Sequence, residues 1–154
     1  MNAHEKNALL IAVLAIAASD IWTNNAVAQS NNPAPFTQAQ ADAGRQSYLT
    51  NCASCHNEDL SGKGAPALAG KAFIKSNFGQ ATVAELYGFI QKSMPYGDSD
   101  SLATESYLSI VAFILEANGA NPGDQSLTPA ASVRVSEIAT GDMPAGFLSG
   151  AKSK

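Results

Sequence analysis

The chain has 154 residues, 45% of them hydrophobic and only 14% charged, with 2 Cys, 2 His, 3 Met and 1 Trp. Its 9 basic and 13 acidic residues give a net charge of −4, which argues against nucleic acid, since phosphate binding needs a basic footprint. The length suits one domain with extensions, and a core of that size needs no disulfide staples.

Residues 1–28 read as a signal peptide. His4 and Lys6 mark a polar start, Ala8–Ala18 form an apolar run, and Ala26-Val27-Ala28 offers the small-residue cleavage pattern before Gln29. The apolar run is too short for a bilayer, which needs about 20 residues, and no later segment is longer. The expectation is an exported, periplasmic chain with no membrane anchor after cleavage. Cleavage leaves both cysteines, Met94, Met143 and a single histidine, His56.

Residues 29–36 are polar and punctuated by proline, as in a flexible lead-in. A helix is predicted from Thr37 to Thr50, with Thr37 as its cap and Gly44 as an internal cost of about 1 kcal/mol. Residues 51–78 are loop-rich, with Gly62, Gly64, Pro66 and Gly70. A second helix is predicted from Thr82 to Ser93. Thr82 and Glu85 have capping-box spacing, Val83, Leu86, Phe89 and Ile90 share a face, and Met94-Pro95 stops the helix. A third runs from Thr104 to Ala117, with Leu108, Val111, Ala112 and Leu115 at helical spacing and Gly119 as terminator. Residues 120–154 form an extension in which Thr128-Pro129 can start a short helix, with Val133, Val135 and Ile138 available to dock. The last residues, 149–154, read as frayed. No segment alternates as a strand, so the fold class is all-α. A loop as long as 51–78 is uncommon in an ordinary compact domain and makes sense when something other than protein fills the centre.

Cys52-Ala53-Ser54-Cys55-His56 supplies that filler. Two thiols three residues apart can add to the two vinyl groups of a haem, and the adjacent imidazole can reach its iron; this is the covalent c-type attachment spacing. A zinc site would need four ligands, usually from two such pairs, and a thioredoxin-like pair would need a βαβ context. The single histidine excludes bis-histidine ligation. A methionine (Met94 or Met143), another donor or a vacant position remains for the sixth site.

From these residues the chain resembles a class I cytochrome c over Thr37 to Gly119, with the attachment motif after one helix. Gly64-Ala65-Pro66-Ala67-Leu68-Ala69-Gly70 matches the segment that follows the haem motif in that family. The resemblance implies one covalent haem c bound by Cys52 and Cys55. It implies His56 and Met94 as axial iron ligands, with Pro66 O accepting from His56 and Leu68 packing on the haem. It also implies a tight crossing of the first and last helices at Gly44, with Tyr48 against Phe113. His/Met ligation raises the potential and suits an electron carrier.

Asp59-Leu60-Ser61-Gly62, Phe73, Ala84-Glu85-Leu86-Tyr87 and Ile114-Leu115-Glu116-Ala117-Asn118-Gly119 extend the resemblance to cytochromes c associated with PQQ-dependent alcohol dehydrogenases. That resemblance implies a PQQ-dependent dehydrogenase as electron donor and a terminal oxidase or another cytochrome as acceptor. The expected protein is thus a carrier, not an enzyme. The alternative is a haem-based sensor of small ligands or a peroxidase-like enzyme with a labile sixth ligand. A peroxidase pocket would want a distal His or Arg, and the mature chain offers only Arg45 and Arg134 beyond His56. Lys63, Lys71, Lys75 and Lys92 outnumber Glu58, Asp59 and Glu85 between residues 52 and 96. Arg134 stands alone among the acids of 97–148, a dipolar layout that could steer the molecule to acidic partners.

Overall fold

The computed structural model describes residues 34–149; the signal-peptide reading of 1–28 and the end beyond residue 149 lie outside the described residues. The described chain is helical, with no strand and one isolated bridge between Thr82 and Arg134. Seven helices follow in order: α1 (Gln38–Asn51), α2 (Ala53–His56), α3 (Lys71–Lys75), α4 (Asn77–Gln80), α5 (Val83–Ser93), α6 (Thr104–Ala117) and α7 (Val135–Ile138).

The three long helices form where local chemistry specifies their ends. Thr37 caps α1, its Oγ1 accepting from Gln40 N at 3.2 Å. Thr82 and Glu85 close a reciprocal capping box on α5, with Glu85 N donating to Thr82 Oγ1 at 3.2 Å and Thr82 N to Glu85 Oε2 at 2.7 Å. Met94 leaves α5 in an extended conformation, φ −131° and ψ 150°, as a residue before proline must. Gly119 ends α6 at φ +85°, a left-handed geometry that glycine adopts without steric cost.

Helix α6 is the centre of the molecule. Every residue from Tyr107 to Ala117 except Glu116 is buried, so it is covered on all sides and not along the one face that its spacing suggests. It crosses α1 at Gly44, where an added Cβ would lie 1.8 Å from Ser109 O. The backbones touch, and no side chain fits between them. Beside the crossing, the Tyr48 and Phe113 rings pack with centroids 5.2 Å apart. On α5, Val83, Leu86, Tyr87 and Ile90 are buried while Phe89 stays 44% exposed, its ring tilted against Phe78 with centroids 4.9 Å apart.

Three expectations need correction. The end of the supposed flexible lead-in is docked: Phe36 is fully buried, Ala34 N donates to Asn121 O at 2.9 Å, and Gly123 N donates to Phe36 O at 2.8 Å. Thr128-Pro129 forms a turn closed by Ala131 N and Thr128 O at 3.3 Å. The short helix lies instead at Val135–Ile138, where Val135 and Ile138 have a buried surface to pack on. The long loop also holds three short helices, α2, α3 and α4.

The extension is part of the body. Leu127 N and O pair with the Gln40 side-chain amide at 2.7 and 3.3 Å. Val83 N and Ala84 N donate to Val133 O and Ala131 O, both at 2.9 Å. Arg45 donates to Phe147 O and Leu148 O at 2.9 and 3.0 Å, and Phe147 stacks on Phe113 at 5.4 Å.

Because the contact at Gly44 is backbone on backbone, Gly44→Ala must push α1 off α6. Overpacking of this kind costs about 1–3 kcal/mol. Denaturant unfolding of the Gly44→Ala protein should show a lower midpoint; an unchanged midpoint would contradict the crossing.

Candidate haem-attachment site

The site begins where α1 stops. Cys52 N still donates to Tyr48 O at 2.8 Å, while Cys52 O accepts from Cys55 N and His56 N at 3.2 and 3.0 Å. Cys52 therefore joins two helical segments, and the single turn of α2 places Cys55 and His56 directly after it. Positions three and four apart on a helical turn are neighbours, so the two thiols and the imidazole project from one short rigid unit. Both thiols are free, Cys55 exposed and Cys52 partly covered. Burial, and then the nearby Cys55, push the Cys52 thiol up to about 11, so at neutral pH it is uncharged.

His56 is buried, 8% exposed, and its Nδ1 lies 2.8 Å from Pro66 O. A carbonyl oxygen only accepts, so Nδ1 carries the proton and Nε2 keeps the lone pair that a metal would take. The chain returns to make this bond through a tight loop. Gly62 N donates to His56 O at 3.0 Å, Lys63 N and Gly64 N both donate to Cys55 O at 3.1 Å, and Leu68 N donates to Leu60 O at 2.9 Å. Leu60 is fully buried at φ +60°, a conformation costing about 1–3 kcal/mol that persists only where the surroundings enforce it. Asp59 helps, its Oδ1 accepting from Ser61 N at 3.0 Å. The same hydrogen bonding by Ser61 holds the Asp59 carboxyl below its usual range.

The remaining sequence candidates come from other elements. Leu68 is partly buried against the core, and Pro66 is exposed with its carbonyl turned to His56. Met94, also partly buried, sits at the end of α5, where its carbonyl accepts from Tyr107 Oη at 2.9 Å. Met143 lies beside Asp142, whose Oδ2 meets Lys71 Nζ at 2.6 Å. That bridge takes Lys71 out of the basic group; among the described residues Lys63, Lys75 and Lys92 make no ion pair.

Several residues brace the site through contacts that no sequence spacing announces. Tyr107 holds Met94 from α6. Tyr48 Oη donates to Asn57 O at 2.6 Å, bracing the residue after His56; burial raises its hydroxyl above the usual phenol range, so it remains a donor. Asn118, fully buried, binds the loop after Pro66. A lone amide in an apolar helix end was the available signal for Asn118, because a buried amide must find partners.

These residues fit covalent haem attachment: two free thiols on one turn, an adjacent imidazole with Nε2 available, and an acceptor that fixes its tautomer. Among the described residues no three His, Cys, Asp or Glu side chains converge as a metal-ion site. No described helix is long and apolar enough to cross a membrane.

Comparison with known proteins agrees with this chemistry. Residues 39–114 match the protein family described as cytochrome c oxidase, cbb3-type, subunit III. No curated protein and no solved structure matched the chain. The matched segment starts at the head of α1 and ends within α6, so it contains the crossing, the attachment motif and Met94. The described fold is that of a class I cytochrome c, and the Cys-x-x-Cys-His turn and the family match together support residues 39–114 as a c-type cytochrome domain, the kind that binds haem c covalently.

Proposed function

We propose that the chain is an exported monohaem cytochrome c, a one-electron carrier with His56 and Met94 as the axial ligands of a haem bound through Cys52 and Cys55. The observation that carries this reading is the 2.8 Å contact between His56 Nδ1 and Pro66 O. It leaves Nε2 as the one imidazole donor and orients the ring from the side away from the metal, as outer-shell acceptors of ligating histidines do. Bound haem supplies the one-electron couple of its iron; the protein supplies the ligands, their orientation and an apolar surround that tunes the potential.

Met94 suits the second position better than Met143. Met143 follows Asp142, which is tied to Lys71 at the head of α3, directly after the loop that braces His56. Met94 comes from the end of α5, an independent element, and Tyr107 fixes its backbone. With thioether and imidazole both bound, the iron of a haem held here would keep no open position for oxygen or peroxide, which favours a carrier over a sensor or peroxidase.

The donor we propose is a PQQ-dependent alcohol dehydrogenase, with a terminal oxidase or another cytochrome as acceptor in the respiratory chain. The motifs of the attachment segment, α5 and the Asn118-Gly119 helix end support this partnership. The exposed Lys63, Lys75 and Lys92, with the acidic character of residues 97–148, support an electrostatically guided encounter. Export through residues 1–28 places the carrier in the periplasm, where such a donor would meet it.

The ligand assignment is tested by Met94→Ala. The weak far-red band that Met–Fe(III) coordination gives should be present in the oxidised wild type and absent from the variant, and should survive in Met143→Ala; the opposite pattern would assign Met143. Tyr107→Phe should keep the band but lower stability by about 0.5–1.5 kcal/mol through loss of one hydrogen bond, read from denaturant unfolding. For the partnership, a purified PQQ-dependent alcohol dehydrogenase should reduce the protein at a rate that falls with ionic strength. A rate independent of salt would remove the electrostatic guidance, and no reduction would remove the partner.

A further inference from the structure

Asn118 is fully buried at the end of α6. Its Nδ2 donates to Leu68 O and Ile114 O, both at 2.8 Å, and its Oδ1 accepts from Gly70 N at 3.0 Å. Its backbone carbonyl accepts from Thr140 N at 3.0 Å and Gly141 N at 2.8 Å. Gly141, at φ +79°, packs so closely that a Cβ there would lie 3.0 Å from Gly70 O. One residue therefore joins three segments: its side chain ties the helix end to the loop from Pro66 to Gly70, and its backbone carbonyl holds the C-terminal extension.

The loop it holds presents Pro66 O to His56. Pro66 is exposed and has no N–H of its own, so the position of its carbonyl depends on neighbouring anchors. Those anchors are Leu68 N on Leu60 O and the two Asn118 bonds to Leu68 O and Gly70 N. An amide suits this place because it offers a donor and an acceptor within one planar group, matching a carbonyl and an N–H two residues apart. Leaving either partly buried backbone group unpaired would carry a cost, so the loop is drawn to one position.

We propose that Asn118 is a positioning residue for the iron's histidine ligand: by holding Leu68 O and Gly70 N it fixes Pro66 O against His56 Nδ1 and sets how strongly the imidazole donates to iron. The proposal rests on the reading of His56 as an axial ligand. A well-placed acceptor on Nδ1–H raises the basicity of Nε2, which favours ferric iron and lowers the midpoint potential. Loosening the loop weakens that acceptor and raises the potential. The C-terminal extension gains a purpose by the same route, since Thr140 and Gly141 brace Asn118 from behind.

The test compares holoprotein carrying Asn118→Ser, Asn118→Asp or Leu127→Ala with wild type. Serine is too short to reach both backbone partners, and aspartate turns carboxylate oxygens toward Leu68 O and Ile114 O. Leu127→Ala is a core truncation outside the loop. The readouts are the midpoint potential and the solvent exchange of His56 Nδ1–H in the reduced protein, followed by NMR. Both Asn118 variants should show a raised potential and exchange faster by about tenfold or more, the equivalent of one weakened hydrogen bond. Leu127→Ala should lose stability and leave both readouts unchanged.

Wild-type values in the folded Asn118 variants, or equal shifts in Leu127→Ala, would overturn the proposal. A further measurement needs no variant: across a denaturant series, Gly70 N–H and His56 Nδ1–H of the wild type should open together, and separate openings would overturn the link. Failure of the premise has a different signature. The wild-type His56 ring resonances would then lack the displacement of an iron-bound imidazole, and the proposal would fall with its premise.

Discussion

The backbone contact between Gly44 of α1 and Ser109 of α6 is the constraint on which the rest of the molecule depends. With no side chain between them, the two helices lock at one depth and one register, and the Tyr48–Phe113 pair seals the crossing. Both helices lead from that point directly to the site. Helix α1 runs into Cys52, so its register fixes where the attachment turn starts. Helix α6 carries Tyr107 toward Met94 and Asn118 toward the loop behind His56. A shift at the crossing would therefore move the thiols, the imidazole brace and the methionine relative to one another.

Between these helices the chain has little regular structure, and its backbone groups still need partners. Buried polar side chains provide them. Tyr48 binds Asn57 O, Tyr107 binds Met94 O, and Asn118 binds Leu68 O and Gly70 N. Each is anchored in a long helix and reaches a loop that bears a site residue or lies beside one. The design separates two jobs: helix packing supplies stability, while a few directed hydrogen bonds place irregular backbone to within the tolerance that ligation requires. It also accounts for strain at Leu60, whose left-handed conformation is held by the returning Leu68 N–H and by burial.

Much of this was legible in the sequence because it rests on local signals. The capping box Thr82/Glu85, the helix-stopping Met94-Pro95 and Gly119 place the ends of α5 and α6 within a residue or so of where they lie. The cost of Gly44 in α1 pointed to a close approach. What was not legible depends on partners far along the chain. Phe36 looks like part of a polar leader until Gly123 binds its carbonyl. Thr128-Pro129 carries a good helix-start signal, yet Thr128, Pro129 and Ala130 are exposed, and the helix forms where Val135 and Ile138 are buried. Helices α3 and α4 are too short to show a period, and only tertiary packing on Phe73 and around Gly79 marks them. The motif residues were visible from spacing alone, whereas Tyr107 and Asn118 position them through contacts between distant segments that no spacing shows.

The central claim is that Cys52, Cys55 and His56 form one covalent haem site. Digestion of the denatured, purified protein followed by mass spectrometry tests it most directly. The account predicts one haem retained through denaturation and carried by the peptide that contains Cys52–His56, with a Cys52→Ser, Cys55→Ser double variant yielding a peptide free of haem. Haem released on denaturation of the wild type, or found on any other peptide, would contradict it.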